Sequence, residues 1–122
     1  MNTEKVTNRP ESVEEAREKT GLPAVDFSNV PEKYRSFFEG LWDGIVVTEA
    51  INDGWEPDWD NNEPKWLSWF NMSPSSFGFY DANCVTSGAL AGSGSRLRYR
   101  TEADAEYSAK QFKDVWQKIQ LG

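Results

Sequence analysis

The sequence predicts an α+β fold: helices packed on one face of a small antiparallel sheet of three to four short strands, with a C-terminal helix following the last strand. Three observations predict it. Apolar residues recur with a 3.6-residue period from Tyr34 to Ala50 and again from Ala105 to Ile119. Between these stretches lie short aromatic runs punctuated by Ser73-Pro74 and Asp81-Ala82-Asn83. The segment Arg96-Leu97-Arg98-Tyr99-Arg100 then alternates polar and apolar residues, as a half-buried antiparallel strand does.

Residues 1–11 are polar, contain Pro10 and have little to bury, so they read as a flexible lead-in to a single domain over 12–122. Ser12 and Glu15 form a capping box for a short helix that ends at Gly21. Leu22, Val25, Phe27 and Val30 pin the following connector to the body. Pro31 suits the first position of the next helix, and Glu32 suits the positive end of its dipole. Its apolar stripe runs through Tyr34, Phe37, Phe38, Leu41, Trp42, Ile45, Val46 and Ala50. Gly40 and Gly44 each cost about 1 kcal/mol of helix propensity relative to Ala. They predict either a break near Glu39–Trp42 or the close approach of another helix. Asn52-Asp53-Gly54 is a stop signal.

After the tryptophan-rich loop 54–65, Lys65–Phe70 reads as a strand. Phe77–Tyr80 and Cys84–Thr86 read as two more, joined near Asp81-Ala82-Asn83, and 87–95 as a loop of small residues. In Arg96–Arg100 the alternation sends Leu97 and Tyr99 inward and the three arginines outward. Thr101 caps the last helix, with Asp104 at the capping-box position and a stripe through Ala105, Ala109, Phe112, Val115, Trp116 and Ile119.

Composition excludes several functions. Thirteen basic against twenty acidic residues give a net charge of −7 and a pI near 4.6. That balance disfavours generic phosphate-backbone binding. With no histidine there is no Ser-His-Asp or Cys-His nucleophile system and no imidazole base. One cysteine, Cys84, allows no internal disulfide and, with no histidine, no usual zinc ligand set. The expectation is a non-enzymatic protein with no cofactor and no metal. The opening Met-Asn-Thr-Glu-Lys lacks the apolar core of a signal peptide, and no run approaches the roughly 20 apolar residues of a membrane span. A cytoplasmic location follows as the expectation.

Four of the six tryptophans, Trp55, Trp59, Trp66 and Trp69, fall within fifteen residues. Such a cluster is either core material laid down by an irregular loop or a surface that stacks bases, sugars or a proline-rich peptide. The reading favours core packing, with Trp66 the ring expected to be exposed. Asp58, Asp60 and Asn62 fit the first ligand positions of a calcium loop, but Glu63 stands where Gly is required and Trp69 where Glu is, so the segment reads as a solvated acidic turn. Gly92-Ser93-Gly94-Ser95 lacks a following Lys and precedes a strand, so it is no phosphate loop. Candidate binding residues are Arg96, Arg98 and Arg100 on one strand face, with Tyr80 and Trp66. Guanidinium groups in a row suit phosphates or an acidic partner, or are neutralised by the protein's own carboxylates.

From Ala50 to Lys118 the chain resembles small proteins of Bacteroides-type prophages, phages and related mobile elements. The resemblance is carried by Ala50-Ile51-Asn52-Asp53-Gly54-Trp55 with Pro57-Asp58-Trp59, then Trp69-Phe70, Phe77-Gly78-Phe79, Gly94-Ser95-Arg96-Leu97 and Thr101–Phe112. Arg98 departs from it, standing where a small or sulfur-bearing residue is commoner. The resemblance implies an α+β fold and a phage or mobile-element setting, and brings no activity with it. The expected function is therefore an accessory binding module acting through a protein partner, for example by occupying a basic groove of a host protein. The alternative is a small single-stranded nucleic-acid or nucleotide binder using the Arg96, Arg98 and Arg100 face.

Overall fold

The computed structural model describes residues 9–88 and 96–122, and these form four helices and one two-stranded antiparallel sheet. Helix α1 (Val13–Thr20) begins with the Ser12 half of the capping box, Ser12 Oγ accepting the Glu15 N–H at 3.1 Å, while the Glu15 carboxylate reaches one residue further back and accepts the Glu11 N–H at 2.9 Å. It ends at Gly21, whose φ of +77° is the left-handed cap conformation glycine adopts without a Cβ penalty. Arg9–Glu11, the last part of the expected lead-in, are tied to the body. Arg9 pairs with Asp104 at 2.9 Å, and the Pro10 and Glu11 carbonyls accept from Tyr107 Oη and Gln111 Nε2. Residues 1–8 lie outside the described residues.

Helix α2 (Glu32–Asn52) is continuous over 21 residues, so of the two readings of Gly40 and Gly44 close approach holds. The C-terminal helix crosses at these positions: a Cβ on Gly40 would stand 2.5 Å from Lys118 Cβ, and one on Gly44 2.8 Å from Ile119 Cδ1. Along α2, Val46, Val47, Ala50 and Ile51 form the floor of the core. The predicted single C-terminal helix is two, α3 (Glu102–Gln111) and α4 (Lys113–Leu121), broken at Phe112 (φ −112°, ψ 40°). Thr101 Oγ1 caps α3 by accepting the Asp104 N–H. The break turns Phe112, Val115 and Trp116 together into the core.

Among the described residues the sheet has two strands where three to four are expected. β1 (Lys65–Asn71) and β2 (Gly78–Val85) form one antiparallel hairpin closed by a 3-10 turn at Pro74–Ser76. Phe77–Tyr80 and Cys84–Thr86 are not separate strands, because Asp81 and Asn83 stay extended. Each turns its side-chain oxygen onto the next N–H, Ala82 at 2.9 Å and Cys84 at 2.8 Å. Residues 96–100 contribute a single bridge, with Trp66 N–H donating to Tyr99 O at 2.8 Å and Tyr99 N–H to Trp66 O at 2.9 Å. The neighbouring carbonyl, of Arg98, goes to Asn52 Nδ2 on α2 instead of to a strand. Leu97, Arg98 and Tyr99 are all buried, so the inward–outward alternation fails there.

The helices cover one face of the hairpin. Phe70 stacks between Phe77 (5.1 Å) and Trp116 (5.3 Å), and Ser68 Oγ donates to Ala105 O. Beneath them runs a buried hydroxyl chain: Thr48 Oγ1 to Tyr99 Oη at 2.7 Å, Tyr99 Oη to Ser108 Oγ at 2.6 Å, and Trp116 Nε1 donating to Ser108 Oγ at 2.9 Å. Burial pushes the Tyr99 phenol up to about 12, against the hydrogen bonds from Ser108 and Thr48. A raised phenol favours the protonated folded state. The resulting stability is complete below the unfolded tyrosine value of about 10 and is lost as pH rises through the folded one. Tyr99→Phe is expected to cost about 1–3 kcal/mol at neutral pH, because the buried Thr48 hydroxyl loses its partner and Ser108 Oγ keeps only the bond from Trp116 Nε1. It should also lose less stability than the parent between about pH 10 and 12. Urea unfolding at both ends of that window measures both effects.

Candidate functional site

Period two along β1 turns Trp66, Ser68 and Phe70 toward the helices and Lys65, Leu67 and Trp69 away from them. Among the described residues no helix lies on the other side, which the tryptophan loop covers at Lys65. On that side Trp69 is 48% exposed, whereas Trp66 is half-buried against the core. The ring expected to be bare is therefore Trp69, not Trp66. Strand alternation in Lys65–Asn71 carried that signal, because Trp69 shares no face with Phe70, whose ring lies in the core.

Across from Trp69 the register slips. Trp69 pairs with Asp81 and Phe70 with Phe79, which leaves Tyr80 as the extra residue of a β-bulge. The bulge turns Tyr80 outward, and at 74% it is the most exposed of the large hydrophobic side chains among the described residues. Trp69 and Tyr80 are thus both exposed at the bulge of a hydrogen-bonded hairpin. Other exposed rings are partnered within the chain: Phe38 stacks on Phe27, and Lys33 lies 5.0 Å from the centre of Tyr34. Among the described residues, neither Trp69 nor Tyr80 meets another ring or a cation. The outer edge of β2 is blunted, since the N–H groups of Ala82 and Cys84 are occupied by Asp81 and Asn83. What the hairpin offers a partner is its exposed bulge region.

The arginine stripe does not form. Arg96 and Arg100 are exposed, but Arg98 is 1% exposed, and burial lowers its pKa from the usual guanidinium value. Of the five candidate residues, Tyr80 is exposed at the hairpin bulge, Trp66 is half-buried against the core, Arg98 is buried, and Arg96 and Arg100 flank the buried Leu97–Tyr99 segment. The structure brings no three of them together as a surface.

The tryptophan loop is not core packing throughout. Trp55 and Trp59 are half-buried and line an open cleft of about 310 Å³ against α2, with Glu49, Asn52, Glu56 and Arg96 around it. Trp55 Nε1 donates to Glu63 at 3.1 Å. Asp58 and Asn61 spend their side-chain oxygens on the N–H groups of Asp60 and Glu63, which are local turns. Among the described residues no three His, Cys, Asp or Glu side chains are grouped to hold a metal ion. Also among them, no helix is long and apolar enough to cross a membrane.

What holds this loop is a residue the sequence reading passed over. Lys65 is fully buried, and its ammonium donates to the carbonyls of Thr86 (2.6 Å), Glu63 (2.9 Å) and Asn61 (3.3 Å), with the Trp59 ring centre 5.1 Å away. One side chain thus fastens the loop, the start of β1 and the end of β2. No sequence motif announces it, because its partners converge from positions 59 to 86.

No known protein family, curated protein or solved structure matches this chain.

Proposed function

We propose that this protein is a non-enzymatic binding module that engages a partner protein through the exposed bulge region of its hairpin, with Trp69 and Tyr80 as anchors. The observation that carries the reading is two exposed rings, Trp69 and Tyr80, at the bulge of an edge-capped strand pair. Tyrosine and tryptophan supply large contact areas at low entropic cost and dominate the energetics of interfaces. Asp81 beside them and the net charge of −7 favour a partner with a basic rim, which steers association at low salt. A phage or mobile-element accessory role in a bacterial cytoplasm fits this reading and rests on the motif resemblance alone. The nucleic-acid alternative is the weaker of the two, because a row of three guanidinium groups, its premise, is absent from the surface.

The test is affinity capture from host lysate with the parent protein and with Trp69→Ser/Tyr80→Ser. Both positions are exposed, so the variant should unfold within about 0.5 kcal/mol of the parent. The parent is expected to retain a protein partner that survives nuclease treatment, and the variant to bind it at least about tenfold more weakly. Equal retention by both proteins, or a partner lost on nuclease treatment, would count against the proposal.

A further inference from the structure

The cleft beside the tryptophan loop is separate from the hairpin bulge and has its own chemistry. Its lining carboxylates, Glu49 and Glu56, outnumber its lining cation, Arg96. Both indoles that wall it are oriented by bonds to the fold, Trp55 through Nε1 to Glu63 and Trp59 by the Lys65 ammonium over its ring. At its side Asn52, only 3% exposed, donates Nδ2 to the Arg98 carbonyl at 2.8 Å. That bond fixes the amide, since the flipped form would set oxygen against oxygen. Asn52 Oδ1 is then a buried acceptor with no hydrogen bond among the described residues, a state that ordinarily calls for a partner.

Aromatic walls, an acidic rim and an orphan acceptor all ask for the same thing, a cation rich in donors. A guanidinium stacks on indole faces and donates in pairs to carboxylates. Phosphates and nucleotides are disfavoured by the same two glutamates. We infer that this cleft binds the side chain of an arginine presented on a short peptide segment, with the guanidinium against Trp55 and Trp59 and its N–H groups toward Glu49, Glu56 and the Asn52 amide.

The probe is acetyl-Gly-Arg-Gly-amide, titrated into the full chain at low salt while the six indole N–H resonances are followed by NMR. The expected result is saturable movement of two of them, absent for one in Trp55→Phe and for the other in Trp59→Phe, with half-saturation near about 1 mM. The citrulline peptide, neutral and of the same shape, should bind at least about tenfold more weakly, as should the arginine peptide to Glu49→Gln/Glu56→Gln, whose substitutions lie on the exposed rim. Trp69→Ser/Tyr80→Ser should bind the arginine peptide as the parent does, so that failure of the hairpin reading and failure of this one are distinct. Equal binding of the citrulline peptide, unchanged binding by the Gln pair, the same resonances moved instead by a neutral hexose, or no movement at about 10 mM peptide would each overturn the inference. So would loss of binding in the hairpin variant.

Discussion

Replacing Gly40 with alanine is expected to destabilise the protein by about 1–3 kcal/mol, although helix propensity alone favours the change by about 1 kcal/mol. The reason is what a methyl group would meet. Lys118 Cβ would lie at 2.5 Å and the Ile119 backbone nitrogen at 3.1 Å, so the obstacle is the main chain of α4 and the root of a side chain, neither of which can rotate away. Helix α4 would have to lift, and it carries Val115 and Trp116 into the core. Gly44→Ala provides the control. Its nearest neighbour is the Ile119 Cδ1 tip at 2.8 Å, which a rotamer change can move, so the cost there should be well under that at Gly40. Denaturant unfolding of the two variants side by side reads the difference. Equal stabilities would mean that the two helices do not cross at Gly40.

Lys65→Met should cost about 2–4 kcal/mol and loosen the tryptophan loop. Methionine keeps the length of the stem but donates nothing, so the carbonyls of Asn61, Glu63 and Thr86 lose the ammonium that gathers them and Trp59 loses the cation over its ring. Relief from holding a charge away from water offsets part of that loss, which is why the expected figure is below the sum of three separate hydrogen bonds. Lys65→Arg should not restore stability, because a planar fork cannot reach three carbonyls arranged around a point charge. The checks are urea unfolding, a red shift in tryptophan emission and faster proteolysis within residues 54–64. An unchanged loop in Lys65→Met would contradict the role assigned to this side chain.

The parts of this fold that were legible in the sequence are those set by neighbours along the chain. The 3.6-residue stripe of α2, the Ser12 and Thr101 caps and the Gly21 stop each depend on residues within a turn or two, and each is where the pattern places it. The break at Phe112 was not legible, since neither Gly nor Pro marks it and the apolar stripe runs on through it. Asp81-Ala82-Asn83 reads as a turn by composition. In the structure the same short side chains cap edge N–H groups and let the strand continue. Arg98 shows the limit most sharply. Alternation in Arg96–Arg100 sends it outward, yet Asn52 takes its carbonyl and its side chain is enclosed, an outcome fixed by a helix forty-six residues upstream. The candidate site was legible only at Tyr80. Trp69 is obscured because Trp69-Phe70 reads as one motif of the resemblance and so as a packed unit, when strand parity separates the two rings.

The central claim is that partner binding rests on the bare rings at the hairpin bulge. Hydroxyl-radical footprinting of the free and partner-bound protein tests it most directly, because tryptophan, tyrosine and methionine side chains report their own exposure. In the free protein Trp69, Tyr80 and Met72 should label readily and Trp116, 7% exposed, should not. On binding, labelling at Trp69 and Tyr80 should fall by about tenfold, while Tyr34 and Phe38 on α2 keep their free-state rates. Undiminished labelling of Trp69 and Tyr80 in the complex, with protection at Tyr34 and Phe38 instead, would contradict the account.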